Sequence, residues 1–223
     1  LGPMVAQDRD NVFLATKVGY IGGAGRANLT RQFDQSRRQL GHDHVDLLYL
    51  HRWDDAPLEE TFETLASWQQ AGRLRHIGVS NFAAWQVMKA QAVATAMGIR
   101  IDAIQPMYSL VKRQAEVEIL PMAADQGIAI FPYSPLGGGL LTGKYARGET
   151  GRLSEDARYK DRYGQTWMFQ TAADLAALAN EIGVDCATLA VAWAAAHPTG
   201  PAPIISATSP AQLAPSLAAT TFT

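Results

Sequence analysis

Short runs of apolar residues recur along the chain about every 30 residues, close to the length of one strand–helix–strand unit. The runs are apolar on both faces, which is typical of parallel strands covered by helices. Each run ends in a polar side chain, so a parallel sheet would bring these side chains to one edge. We therefore predict six parallel strands, over residues 12–17, 45–51, 75–80, 103–105, 128–133 and 203–206.

Between these runs the apolar positions recur at the spacing of an α-helix. Two stretches show the pattern, with Leu58, Phe62 and Leu65 in the first and Leu175, Leu178, Ala179 and Ile182 in the second. A glycine, which readily takes the left-handed conformation that stops a helix, ends four predicted helices: Gly41, Gly72, Gly98 and Gly127. Strands that alternate with helices in this way predict an α/β architecture.

One segment interrupts the alternation. Residues 144–162 carry ten charged side chains in nineteen positions and show no apolar period. Connections of this length in compact domains are usually functional or disordered. Two interpretations remain open, a solvent-exposed excursion or a lid beside the site.

Composition narrows the class of protein. The 223 residues are 48 % apolar and 18 % charged, with a net charge of −2 and no basic stripe, which argues against nucleic-acid binding. The apolar runs are too short to span a membrane, and residues 1–10 do not resemble a signal peptide. The single cysteine, Cys186, excludes an intrachain disulfide and favours a reducing, cytoplasmic location. We interpret it as structural, because no histidine or second cysteine is near it in sequence.

The first two strand ends carry residues suited to acid–base chemistry. Lys17 ends a run of apolar residues, where a lysine could lower the pKa of a neighbouring acid. His51 ends the next run, where it could donate a hydrogen bond to a substrate carbonyl or transfer a proton. The structural alternatives are a surface lysine and a buried histidine bonded to backbone. The other histidines are expected at the surface, and no metal-ligand spacing is present, so no metal site is expected.

The following strand ends carry groups that suit a nucleotide cofactor. Ser80, Asn81 and Gln105 could hold a carboxamide such as that of nicotinamide, and Tyr133 could stack on a flat heterocycle. The segment S-P-L-G-G-G-L-L-T-G-K at residues 134–144 follows, and its glycines would let backbone N–H groups approach a phosphate. Near the end, a helix is predicted to begin at residues 209–210. An anion there would face Ser206, Thr208 and Gln212, although an ordinary capped helix explains the same residues.

Together these segments resemble the aldo-keto reductase family. The resemblance rests on A-T-K (15–17), V-D-L-L-Y-L-H (45–51), G-R-L-R-H-I-G-V-S-N-F (72–82), Q-P-M-Y-S (105–109) and Y-S-P-L-G-G-G-L-L-T-G-K-Y (133–145). It implies a (β/α)8 TIM barrel of which the chain contains about strands 3–8, as one partial barrel domain over residues 1–223. It also implies the reduction of small aldehydes and ketones with NADPH, NADH not being excluded. The H-R-W-D element and the glycine-rich segment resemble the bacterial and channel-subunit-like branches.

The resemblance assigns roles to individual residues. Lys17 and His51 match two of the four catalytic residues, and Trp53 matches the wall of the substrate pocket. The cofactor-binding matches are Ser80, Asn81, Gln105, Tyr133, Ser134, Leu136, Gly138, Lys144, Ser206, Thr208, Gln212 and Ser216. Of these, Ser134, Leu136, Gly138 and Lys144 would contact the pyrophosphate, and the last four the adenosine and its 2′-phosphate.

Three departures from the family pattern matter. The catalytic aspartate and tyrosine, which precede the lysine strand in the family, are absent from the residues before Lys17, and Tyr20 lies on the wrong side of it in sequence. Six strands do not close an eight-stranded barrel, so we expect a longer chain or a jump within it, for example around residues 20–26. Thr208 and Ser216 stand where many members have arginine and asparagine. Losing that arginine leaves the choice between NADPH and NADH open, with Lys144 or Arg152 as replacements for its charge.

Several functions are therefore compatible with the sequence. The leading hypothesis is an NADPH-dependent carbonyl reductase. The alternatives are a catalytically impaired cofactor-binding or regulatory protein, a truncated remnant that exposes its core, and a different barrel such as a phosphate-sugar isomerase. The substrate, the oligomeric state and the direction of the reaction do not follow from the sequence.

Overall fold

The computed structural model describes residues 2–222 and shows five strands arranged in chain order in one sheet. The strands are β1 (Ala15–Val18), β2 (Val45–Leu50), β3 (Leu74–Ser80), β4 (Ala103–Gln105) and β5 (Ala129–Ile130). The first four pair in parallel, and β5 joins β4 through the Ala129 N–H, which donates to the Asp102 carbonyl at 2.9 Å. The α/β class and the partial, open barrel sheet predicted from sequence are confirmed.

The sixth predicted strand is wrong. Residues 201–207 form no regular strand, although the Ala202 and Ile204 N–H groups donate to the Ile130 and Pro132 carbonyls at 2.8 Å. Pro201 and Pro203 alternate with these donors and have no N–H of their own. The prediction for residues 128–133 was also too long, since only Ala129–Ile130 is regular and Tyr133 makes an isolated bridge to Met107.

The helices follow the predicted alternation. They are α1 (Gly2–Gln7), α2 (Arg26–Leu40), α3 (Leu58–Gln70), α4 (Ala84–Ala96), α5 (Ile119–Asp125), α6 (Arg152–Glu155), α7 (Ala157–Tyr163), α8 (Thr166–Glu181), α9 (Cys186–Ala195) and α10 (Pro210–Ala218). Short 3-10 helices cover Arg9–Asn11, Gln114–Glu116, Gly137–Thr142 and Lys144–Arg147. The glycines after α2, α3, α4 and α5 all have left-handed φ values, between 62° and 73°, so the predicted helix stops are confirmed.

The chain divides into two compact units. The first comprises Leu1–Gln105 and Met122–Ala129, and its core surrounds β2, in which every residue is buried. Phe62 and Leu65 of α3 are fully buried there, as their helical spacing predicted. A buried strand that is apolar at almost every position is what a parallel sheet with covered faces requires.

The second unit comprises Pro106–Pro121 and Ile130–Thr223, and its core includes a side chain of the charged segment at residues 144–162. This segment holds the 3-10 helix Lys144–Arg147 and the helices α6 and α7. Leu153 and Tyr163 are buried in a cluster with Leu140, Leu141 and Met168. Leu153 within the segment and Tyr163 directly after it therefore anchor helices that lack an apolar period, and a role of the segment as a lid stays a prediction.

Helix α8 was predicted correctly, but not all of its apolar positions are buried. Leu175 and Ala179 pack inward, whereas Leu178 and Ile182 are nearly half exposed. Within residues 2–222 no single helix has the length and apolarity to cross a membrane. The pair α8 and α9 meets that test jointly, bent by 104° at the break between them.

Candidate functional site

Lys17 lies in β1 directly opposite Tyr49 of β2, in the first unit. Its ammonium group donates a hydrogen bond to the side-chain oxygen of Gln105, at the end of β4. Partial burial lowers the pKa of Lys17 from its ordinary value. The lysine is therefore held in place by a side chain from another strand end, unlike a surface lysine.

Gln105 joins several of the predicted site residues. Besides accepting from Lys17, its side chain hydrogen-bonds to the Tyr49 hydroxyl, and its backbone carbonyl accepts from the Ser80 hydroxyl at 2.8 Å. Burial raises the pKa of Tyr49 to about 12, although the bond from Gln105 opposes this shift. Tyr49 was not identified from sequence. Its position two residues before His51, on the same strand face, is the signal that would have found it.

Asn81 connects β3 to the end of β2. Its side-chain amide donates to the His51 carbonyl at 2.9 Å and to the Ser80 hydroxyl at 3.2 Å. Its φ of 56° is left-handed, a conformation that asparagine tolerates better than most residues. The structure thus brings Ser80, Asn81, Gln105, Lys17 and His51 together at the carboxyl ends of neighbouring strands.

His51 is partly buried at the end of β2. Burial, then the charges of Lys17 and Arg52, lower the pKa of its imidazole from 6.5. The ring is therefore neutral at pH 7, so one nitrogen can donate a hydrogen bond while the other accepts.

Two aromatic groups flank this edge. The Tyr20 ring lies 4.8 Å from the His51 ring, and the Arg52 guanidinium lies 5.1 Å from the centre of the Tyr20 ring. Trp53 contacts Phe82 edge to face at 5.4 Å and Trp85 at 5.5 Å. Sequence reasoning placed Trp53 here but missed Trp85, which begins the exposed side of α4.

The remaining predicted cofactor residues lie in the second unit. Tyr133 is partly buried, which raises the pKa of its hydroxyl, and its backbone bonds to Pro106 and Tyr108. Ser134 has a left-handed φ of 60°, and its side chain hydrogen-bonds to the Tyr163 hydroxyl. Residues that hold unusual backbone conformations often cluster at functional sites.

The glycine-rich turn is shaped largely by its own bonds. The N–H groups of Gly137 and Gly139 donate to the carbonyls of Ser134 and Leu136, so they are not free to face a phosphate. Gly138 has a φ of 67°, and a Cβ there would stand 2.8 Å from the Tyr159 ring. Lys144 lies against the turn, its Cε only 3.3 Å from where a Cβ on Gly139 would stand. Its ammonium group therefore places a positive charge beside the turn.

The final predicted group surrounds the start of α10. Ser209 caps the helix by accepting from the Gln212 N–H at 3.2 Å, and the Gln212 side chain accepts from the Thr208 N–H and hydroxyl. Ser206 is exposed, whereas Ser216 is 3 % exposed. Thr208 and Gln212 therefore act in a helix cap, which is the ordinary alternative to an anion site.

A family model described as "Aldo/keto reductase family" matches residues 1–223. The chain belongs to the aldo/keto reductase family. Among its relatives, the protein named "Uncharacterized oxidoreductase YrpG" of Bacillus subtilis (strain 168) is 34 % identical, over 93 % of this chain and 66 % of its own length. The "Probable voltage-gated potassium channel subunit beta" of Oryza sativa subsp. japonica is 32 % identical, over 92 % of this chain and 67 % of its own.

A third relative carries the name of a specific reductase. The "L-glyceraldehyde 3-phosphate reductase" of Escherichia coli O157:H7 is 30 % identical, over 83 % of this chain and 58 % of its own length. The chain thus spans about two thirds of the first two relatives and less of the third. Among residues 2–222 of this chain, no group of three or more histidine, cysteine, aspartate or glutamate side chains could hold a metal ion.

Proposed function

We propose that the protein is an NADPH-dependent carbonyl reductase that converts aldehydes or ketones to alcohols. The main observation that supports this proposal is the hydrogen bond between Lys17 and Gln105. It fixes a partly buried cation at the sheet edge next to a neutral His51. A fixed cation and a neutral donor suit the stabilisation of negative charge as it develops on a carbonyl oxygen. Membership of the aldo/keto reductase family supports the same reaction class.

The residues present fit a nicotinamide nucleotide in part. Gln105 and Ser80 are buried polar groups at the edge that carries Lys17, and amide and hydroxyl groups of this kind can hydrogen-bond to a carboxamide. In the second unit, Lys144 supplies a cation for a phosphate beside the glycine-rich turn. Bound NADPH would supply hydride to the carbonyl carbon.

Each residue of the edge then has a defined task. His51 would donate a hydrogen bond from its neutral imidazole to the carbonyl oxygen and orient it. Lys17 would stabilise the oxygen as it gains negative charge and would lower the pKa of an adjacent acid. The alcohol also requires one proton on that oxygen, which a water molecule would supply where no side chain does. We assign orientation and charge stabilisation to Lys17 and His51.

The test is an assay of NADPH oxidation in the presence of small aldehydes. The reaction is monitored as the loss of absorbance of the reduced nicotinamide. Lys17→Met should lower kcat about a hundred-fold or more while leaving cofactor affinity within about three-fold, because a single preorganised charged donor is worth that much. Lys89→Met is the matched control, since Lys89 is an exposed lysine on α4. Full activity in Lys17→Met would contradict the assignment.

The second candidate is a cofactor-binding regulatory protein with little turnover. It is favoured by the relatives whose names describe probable potassium channel β subunits. NADPH binding measured by calorimetry, with aldehyde reduction at background in the wild type, would support this function over the first.

Cofactor preference and location also remain proposals. Thr208 and Gln212 are engaged in the α10 cap, so we assign the 2′-phosphate charge contact to Lys144 or Arg152, and NADH remains a possible cofactor. The single cysteine supports a reducing, cytoplasmic compartment.

A further inference from the structure

Arg52, at the edge that carries His51, is exposed and pairs with no carboxylate among residues 2–222. It takes part in none of the ion pairs formed among residues 2–222. Its guanidinium instead lies over the Tyr20 ring, 5.1 Å from the ring centre. An arginine stacked on an aromatic face keeps its N–H donors in the plane of the guanidinium, where a carboxylate or phosphate can accept from two of them.

Asp54, the acid nearest to Arg52 in sequence, does not neutralise this charge. Asp54 turns toward its own loop, where its carboxylate accepts from the Ala56 N–H at 2.7 Å and lies beside Gly23. The charges that lower the pKa of His51 are those of Lys17 and Arg52, and both are positive. The edge therefore has an excess of positive charge next to the imidazole.

Tyr20 links the arginine to the candidate catalytic residue. The centre of the Tyr20 ring lies 4.8 Å from the centre of the His51 ring and 5.1 Å from the Arg52 guanidinium carbon. The guanidinium thus lies no farther from the imidazole than the sum of these two distances. A short molecule whose carbonyl reaches His51 can place a second group at Arg52.

We propose that Arg52, positioned by Tyr20, binds an anionic group of the substrate, so that the protein prefers aldehydes and ketones bearing a carboxylate or a phosphate. The preference in reduction rests on the proposed reductase function, whereas the binding of the anion does not. Arg52 is the binding residue, and Tyr20 acts through it by orienting the guanidinium.

The experiment uses two matched pairs of probes that differ in charge. One pair is 4-formylbenzoate and its methyl ester, and the other is glyceraldehyde 3-phosphate and glyceraldehyde. Calorimetry of the purified protein without cofactor gives the Kd of each probe, and NADPH oxidation gives kcat/KM. The quantity compared is the ratio of the charged to the neutral probe within each pair, and the two pairs separate carboxylate from phosphate recognition.

Arg52→Gln should lower the charged-to-neutral ratio about ten- to one-hundred-fold, the range expected for a lost charge-assisted contact. Arg52→Lys should recover part of the ratio, because it keeps the charge but not the planar pair of donors. Arg38→Gln is the control, since Arg38 is an exposed arginine on α2 and makes no ion pair with the described residues. It should leave the ratio unchanged.

Variants of Tyr20 provide a second, independent test of the anion site. Tyr20→Ala should lower the ratio several-fold by releasing the guanidinium, and Tyr20→Phe should restore it, because the aromatic face alone holds Arg52. If Tyr20 had only a structural role, Tyr20→Ala would change the affinity for the charged and the neutral probe of a pair by the same factor.

The outcomes separate this inference from the reductase function. Reduction of both probes with a ratio that Arg52→Gln does not move overturns the anion site and leaves the reductase standing. Arg52-dependent binding of the charged probes without any reduction supports the anion site and overturns the reductase. Equal wild-type affinity for charged and neutral probes overturns the anion site whatever the activity.

Discussion

Tyr49 occupies the space that a side chain at Gly78 would need. The two residues are directly opposite each other in β2 and β3, and a Cβ on Gly78 would stand 2.5 Å from two carbon atoms of the Tyr49 ring. Because Tyr49 is only 2 % exposed, its ring has no free volume into which to move. The glycine is therefore required by the tyrosine, and the tyrosine in turn contacts Gln105.

We expect Gly78→Ala to destabilise the protein by about 1–3 kcal/mol, the usual cost of overpacking a core. Chemical denaturation would measure the change. In the double variant Gly78→Ala with Tyr49→Leu, the alanine should cost much less than in the wild-type background, since the obstructing ring is gone. Equal costs in both backgrounds would show that the ring is not the cause.

Tyr49→Phe removes the hydroxyl to which the Gln105 side chain bonds. Gln105 keeps its bond with Lys17, but the loss of one buried hydrogen bond costs about 0.5–1.5 kcal/mol of stability. If Gln105 holds the cofactor, the variant should also raise the Kd for NADPH several-fold, because the amide keeps only one of its two partners. Tyr20→Phe is the stability control, since the Tyr20 side chain is half exposed, and it should change the free energy of unfolding by no more than about 0.5 kcal/mol.

The pKa of His51 should rise in Lys17→Met. Burial of the ring is the larger cause of its lowered pKa, so removing the lysine charge should move the value toward 6.5 without reaching it. An NMR titration of the imidazole C–H resonance measures the midpoint, and Lys89→Met should leave it in place. A midpoint that stays constant in Lys17→Met would show that the two groups do not interact.

The sign of the accompanying stability change follows from the same shift. The unfolded imidazole binds a proton near its ordinary value of 6.5, whereas the folded one binds it only at lower pH. The contribution of His51 to the free energy of unfolding therefore falls as the pH drops from 6.5 through the lower pKa of the folded state. Above pH 6.5 this contribution approaches a constant value.

Asp46 should contribute stability that depends on pH in the acidic range. Its carboxylate is buried, accepts from the Leu14 N–H at 2.7 Å, and pairs with Arg9 at 2.9 Å and Arg75 at 3.2 Å. Burial alone would raise the pKa of Asp46, but these partners outweigh it and lower the value below 3.8. The stabilisation is therefore complete above the ordinary aspartate value and is lost as the pH falls through the lowered one.

Replacing Asp46 tests this contribution directly. Asp46→Asn should cost about 1–3 kcal/mol at pH 7, the range for a lost hydrogen bond to a charged group. The difference from wild type should shrink in acid. Asp34→Asn on the surface of α2, which breaks an i,i+3 pair with Arg37, should cost no more than about 0.5 kcal/mol. Equal costs for both variants would contradict a special role for Asp46.

The periodic parts of the fold could be predicted from the sequence. Strand ends at Lys17, His51 and Gln105 were recognised because a polar residue after an apolar run marks the edge of a parallel sheet. The direct bond between Lys17 and Gln105 was not predictable, since strand ends alone do not fix which side chains meet.

The missed features have a common physical origin. Tyr49 looks like one more apolar residue in a buried strand, and its role depends on Gly78 in the next strand and Gln105 in β4. The helices of residues 144–163 depend on the buried Leu153 and Tyr163, which make no periodic pattern. Non-local packing decides these details, and local spacing does not record it.

In the first unit each strand from β1 to β4 pairs with the strand that follows it in the chain. A protein being synthesised from its amino terminus can therefore complete each pair as soon as the next strand leaves the ribosome. None of these three pairs has to wait for a strand encoded far downstream. The order of synthesis and the order of assembly coincide along this part of the sheet.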